Sequence, residues 1–166
     1  PKSSDGTSEA CVWLGTPVTL QRAKLRNCAW DGLWTGFNGR GSTYSDVDVD
    51  NTPTGVYMEH FTTSSTFNRL HVGSDVRIGV NCEWDDPSWG SKPASVDNVI
   101  ENSSIQASRV GVYMDEGTTG TVVKNSMFKG ESAAAIVDYK GVGNSYSGNN
   151  YSGIAKTAVA VSKSHL

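Results

Sequence analysis

The stretch Val96–Tyr139, VDNVIENSSIQASRVGVYMDEGTTGTVVKNSMFKGESAAAIVDY, states one pattern twice. A short segment opens at Asn102 (NSSIQ) and again at Asn125 (NSMFK). Nine residues after each opening comes a second segment, Gly111-Val112-Tyr113-Met114-Asp115 and then Ala134-Ala135-Ile136-Val137-Asp138. Gly, Ser, Thr and Asn fill the gaps, which are the residues of turns. The Ala stretch near 132–135 is too short for a stable helix.

Outward from this stretch the second segment recurs. Gly55-Val56-Tyr57-Met58-Glu59 repeats it closely, and Gly79-Val80-Asn81-Cys82-Glu83 keeps its outline. Gly32-Leu33-Trp34-Thr35-Gly36 is a weaker copy, and Thr157-Ala158-Val159-Ala160-Val161 keeps only strand character. The starts at 32, 55, 79, 111, 134 and 157 are separated by steps of 23, 24, 32, 23 and 23 residues. The long step holds DDPSWGSKPAS, Asp85–Ser95, which reads as an inserted loop of about nine residues. An earlier strand stands nine residues ahead of the other copies too, at Asp46 (DVDVD) and at Leu70-His71-Val72.

Two short strands per period, a period near 23 residues and no helical pattern predict a solenoid whose coils stack in parallel about 4.8 Å apart. Side chains alternate across a strand. Val56, Val80, Val112 and Ala135 are therefore expected on one inward face, with Met58, Cys82, Met114 and Val137 as a second inward column. The glycine before them suits a tight corner, where φ is positive or the backbone approaches closely. Asn102 and Asn125 read as turn residues in an asparagine ladder.

The lines quoted resemble the right-handed parallel β-helix superfamily, which holds pectate lyases, polygalacturonases and phage tailspikes, over about Leu20 to Val161. The expected fold is an all-β, single-stranded right-handed parallel β-helix of about six coils and about 23 residues per coil, in one domain, 1–166. Residues 1–17 read as an N-terminal segment or cap, 18–161 as coils, 85–95 as the inserted loop and 162–166 as a tail. The resemblance implies fold rather than activity. The Asn-Thr-Asp, Gly-His-Gly and Arg-Ile-Lys stretches of polygalacturonase-like members are missing, and Asp85-Asp86 is a partial match to their Asp-Asp pair. The calcium-binding acids and Arg or Lys base of pectate lyases find no recognisable signature around Arg109 or Lys92.

The outward positions carry the chemistry. Glu59, Glu83, Asp115 and Asp138 are expected to form one carboxylate column and are the candidate catalytic residues. Two like charges 4 Å apart repel by about 1 kcal/mol in water, so such a column needs solvent, a cation or a ligand to offset it. Tyr57, Tyr113, His60, Trp84, Glu116 and Tyr139 are expected beside it, and the loop adds Asp85, Asp86 and Trp89 as ligand-binding candidates. Aromatic rings stack on sugars and carboxylates accept hydroxyl hydrogen bonds or perform acid/base chemistry. The expected function is therefore recognition, and by extension cleavage, of a polysaccharide by a secreted or cell-surface protein. A polysaccharide lyase or glycoside hydrolase is the enzyme class this implies. The alternative is a structural segment of a fibre, tailspike or adhesin.

Composition narrows the field. In 166 residues the net charge is −3 and Lys and Arg form no cluster, which gives no footprint for nucleic acid. No apolar run approaches the ~18 residues of a membrane span. The start Pro-Lys-Ser-Ser, without Met, reads as a processed chain or as a piece of a longer one, whose solenoid ends would continue or oligomerise. No cofactor is required by the pattern. Calcium enters through Asp46-Val47-Asp48-Val49-Asp50-Asn51, but an EF-hand needs Gly where Asn51 stands and Glu where Tyr57 stands. Alternation reads those acids as a solvated face, with binding of a cation such as calcium as the alternative. Adjacent Thr pairs such as Thr62-Thr63 do not make the regular array of an ice-binding face. Cys11, Cys28 and Cys82 lack zinc spacing; Cys11 and Cys28 suit either a disulfide or two reduced thiols.

Overall fold

The structure, a computed structural model, describes residues 10–36, 39–59, 61–82, 95–154 and 157–162. Among them the chain is a parallel β-solenoid of about six turns without a helix. One seven-stranded sheet takes a single strand from each coil, in the spatial order Ala10–Leu14, Asp31–Thr35, Thr54–Met58, Ile78–Cys82, Val110–Met114, Ala134–Tyr139 and Thr157–Ser162. Every pairing in it is parallel. The second sheet begins with Thr19–Arg26, Thr43–Asp50 and Thr66–Val72. It then continues as two short strands per coil, such as Val99–Glu101 with Ser104–Ile105 and Val122–Lys124 with Met127–Lys129.

Left-handed residues bend each coil at fixed places. Arg22, Asp46, Arg69, Asn102, Asn125 and Gly148 form one column, with φ between +51° and +63°. This column is where the second sheet breaks, and Asn102 donates from Nδ2 to Asn68 Oδ1 at 3.0 Å. The asparagines at the bend thus do what their αL tolerance allows. Another column, Ser64, Asp97, Gly120 and Gly143, turns the chain after a small bridge of Thr63, Val96, Thr119 and Val142. Inside, Asn98, Asn144 and Asn149 stitch coils together, each accepting a backbone N–H at Oδ1 and donating to a carbonyl from Nδ2.

The expected inward columns form, with one correction. Leu33, Val56, Val80, Val112 and Ile136 stack in register, and Thr35, Met58, Cys82, Met114 and Asp138 form the next column. Ile136 and Asp138 stand where Ala135 and Val137 were expected, because the fifth repeat is read one residue early. Ala135, not Ala134, takes the place of glycine. The register places Asp138 against Gly141, Asn144 and Tyr146. In the other coils the glycine place is crowded: a Cβ on Gly79 would lie 2.5 Å from the Gly111 carbonyl oxygen and 2.8 Å from Ile105. On Gly111 it would lie 2.6 Å from the Ala135 carbonyl oxygen. Close approach explains these glycines, and none of Gly55, Gly79 and Gly111 has a positive φ. Glycine and the valine after it both face inward, as in a bulge, so Val110 and Tyr113 share the outer side.

Tyr44 and Phe67 stack at 4.6 Å in the core, and Phe128 and Tyr151 at 5.6 Å. Burying each large apolar side chain contributes about 1.5–3 kcal/mol. The first rung is Ala10–Leu14, inside the segment 1–17 expected as a cap. Cys11 and Cys28 are disulfide-bonded, which ties this rung to the next turn, and Cys82 is a buried thiol. The long step falls between Cys82 and Ser95, since Val80 pairs with Val112 while Val56 pairs with Val80.

Candidate ligand-binding site

The outer side of the seven-stranded sheet carries an aromatic column. Trp13, Trp34 and Tyr57 occupy equivalent positions in three successive rungs, followed by Asn81, Tyr113 and Val137. The Trp34 and Tyr57 rings meet edge to face at 5.1 Å. Trp13 is 50% exposed, and Trp30, just before the second rung, is 58% exposed. These two large rings in water at one end of the face are the clearest departure from ordinary burial.

The acid column is shorter than expected. Glu59 is only 8% exposed, because it folds over Gly36 of the rung below and its Oε2 accepts from Trp34 Nε1 at 2.8 Å. A Cβ on Gly36 would strike that oxygen at 2.5 Å. Asp115 is half-buried and accepts from the Glu116 amide at 2.8 Å. Asp138 is not in the column: it pairs with Met114, so it points inward. There it accepts from the Gly141 amide at 2.9 Å, from Asn144 at 3.0 Å and from the Tyr146 hydroxyl. Tyr139 takes the position above Asp115 and is 5% exposed. The Lys140 ammonium lies 4.8 Å from its ring centre and donates to Glu116 at 3.0 Å. His60, Glu83, Trp84, Asp85, Asp86 and Trp89 lie outside the described residues.

One cavity of about 250 Å³ opens on this face, lined by Arg77, Asn81, Arg109, Tyr113 and Asp115 together with Ile78 and Val110. It brings Tyr113 and Asp115 together and leaves Tyr57, Glu59 and Asp138 outside. Burial, then the nearby Asp115 and Tyr139, push the Tyr113 hydroxyl up to about 12, so it is a proton donor at neutral pH. The cavity offers a ring face, an amide, a carboxylate and two guanidiniums to a polar ligand. On the second sheet, Asp46 takes a forked pair of bonds from Arg69 at 2.6 and 2.8 Å, which holds its carboxyl below the usual range. Val47 and Val49 are buried beside it, as the solvated-face reading of this run requires. Among the described residues no group of three or more His, Cys, Asp or Glu side chains converges on a metal position.

Trp13, Trp30, Arg77 and Arg109 were not among the expected site residues. Signals for three of them exist. Val12-Trp13-Leu14-Gly15 has the outline of Leu33-Trp34-Thr35-Gly36, and Arg77-Ile78-Gly79-Val80 that of Arg109-Val110-Gly111-Val112. No helix among the described residues is long and apolar enough to cross a membrane. Compared with known proteins, the chain matches no family model, no curated protein and no solved structure.

Proposed function

We propose that this protein binds a polysaccharide along the outer face of its seven-stranded sheet. The observation that carries the reading is the outer column in which Trp13 is exposed, Trp34 is buried against Glu59, Tyr57 is half-buried and Asn81 precedes Tyr113, at the cavity that holds Tyr113 and Asp115. Rungs about 4.8 Å apart set the Trp13, Tyr57 and Tyr113 rings along a long, gently twisted platform. Such a platform suits a chain of pyranose rings, whose C–H faces stack on aromatics while their hydroxyls reach carboxylates and amides. The repeat supports grouping the chain with the right-handed parallel β-helix superfamily. The Cys11–Cys28 disulfide supports a secreted or cell-surface location, where such bonds persist.

Binding is better supported than cleavage. Glycoside hydrolysis ordinarily needs two carboxyls about 5–9.5 Å apart. Asp115 is the one described carboxylate lining the cavity, and Glu59 is engaged by Trp34. If a bond is cut, Asp115 is the acid/base residue. The test is a glycan array with the whole purified chain, run with calcium and with EDTA. The reading expects a defined set of polysaccharides to bind and Asp115→Asn to weaken that binding. An array with no hits under either condition removes the reading.

A further inference from the structure

A second cavity, of about 770 Å³, adjoins the first and shares its two arginines. Its lining includes Arg77, Arg109, Ser108, Ser132 and Thr157 over a floor of small residues, Ala134 among them. Arg77 and Arg109 sit on successive rungs, with the Arg109 amide donating to the Arg77 carbonyl at 3.1 Å. Among the described residues of this lining the two guanidiniums are the only ionisable groups, and Asp115 stands with both in the adjoining cavity. Both side chains are exposed, and neither forms a salt bridge among the described residues, where the other contacts pair Arg69 with Asp46, Lys124 with Glu101 and Lys140 with Glu116.

Stacked like charges repel, and nothing in the solenoid's architecture calls for arginine twice at this place. The core and the rung pairing are complete without them. A guanidinium presents a planar fork of donors that matches an oxyanion, and two forks one rung apart can hold opposite edges of one carboxylate or sulfate. The Ser132 hydroxyl adds a donor beside them, while Ser108 gives its own to the Val76 carbonyl, and the alanine floor leaves room for the group that bears the anion.

We infer that this cavity is an oxyanion subsite, and that the glycan bound on the face carries a carboxylate or a sulfate ester. The anion sits between Arg77 and Arg109 while the sugar ring to which it is attached lies against Tyr113. This rests on the glycan reading above, but the arginine pair can be tested apart from it.

The experiment titrates three oligosaccharides of one backbone into the wild-type chain and into the double variant Arg77→Gln/Arg109→Gln. One is carboxylated, one is its carboxyl-reduced form and one is sulfated. Inorganic sulfate, with chloride as control, is added to both proteins in parallel while Tm is followed. The inference expects a charged oligosaccharide to bind wild type at least about tenfold more tightly than the reduced form. The double variant should lose that preference and keep its Tm in plain buffer. Which charged ligand is preferred distinguishes carboxylate from sulfate. Equal affinity of wild type for all three overturns the subsite and leaves the glycan reading standing. If none of the three binds, the glycan reading fails and the sulfate titration decides the arginine pair. A Tm rise specific to wild type then supports an oxyanion site, and an equal rise in both proteins overturns it.

Discussion

The two halves of the seven-stranded sheet share one backbone and carry different outer faces. In the first three rungs Trp13, Trp34 and Tyr57 stand outward, with Glu59 folded down onto Trp34. In later rungs the same positions hold Tyr113, Val137 and Ala160, and Arg77 and Arg109 flank the cavities. The inward columns change in another way. Val56, Val80, Val112 and Ile136 run through both halves unaltered in character. The neighbouring column passes from Met58, Cys82 and Met114 to Asp138, a carboxylate satisfied by Gly141, Asn144 and Tyr146. Architecture therefore dictates the valines, while the outer face is open to be shaped by a ligand.

The largest expected effect breaks that distinction between inside and outside. Met114 is fully buried, and Met114→Asp places a charge there with no partner. It should cost several kcal/mol and prevent folding, whereas Tyr113→Asp, one residue away and outward, should leave a folded protein. Thermal unfolding followed by circular dichroism separates them, and equal stability would show the inside/outside assignment to be wrong. Next, replacing Cys11 and Cys28 by Ser removes a crosslink over 17 residues. A loss of about 3 kcal/mol is expected in chemical denaturation, centred on the first rung. An unchanged midpoint would mean that this rung adds nothing to global stability.

The C-terminal half contributes a pH effect of its own. Glu131 is fully buried and neither carboxylate oxygen makes a well-formed hydrogen bond. Burial pushes its carboxyl from the ordinary 4.5 up to about 7, offset in part by its own amide and the backbone at Lys129. A raised carboxyl favours the protonated form in the folded state. Its full stability is therefore present below about pH 4.5, falls as pH rises toward 7 and then levels, a loss of about 3 kcal/mol. Glu131→Gln should remove this decline between those limits, and a variant with the wild-type pH profile would assign the titration elsewhere. The smallest effect is in the first half. Glu59→Gln weakens a charge-assisted bond to Trp34 and should cost about 1 kcal/mol, read from Tm and from the tryptophan emission spectrum.

Much of the fold was legible because a parallel coil must repeat its inward residues. Val56, Val80 and Val112 announce themselves at steps that the rung pairing confirms. The fifth repeat misled for a physical reason. Ala133, Ala134 and Ala135 are all small enough for the glycine place, and both Ile136 and Val137 suit an interior. The register that forms gives Asp138 its contacts with Asn144 and Tyr146, and those residues belong to the next coil. An acid was assumed to face outward, yet local partners can satisfy one inside. The site was legible in part. Tyr113 and Asp115 do share a cavity, but Glu59 reaches back to Trp34, a rotamer choice that no linear pattern encodes.

In the proposed function the outer face serves a ligand while the inner columns serve the coil. The most direct measurement is calorimetric titration of an array-selected oligosaccharide into wild type and Tyr113→Ala, with Tm recorded for both. At least about tenfold weaker binding by the variant is expected, the loss of an aromatic stacking partner, with Tm within a few degrees of wild type. Unchanged affinity, or a loss of binding that only follows a collapse in Tm, would contradict it.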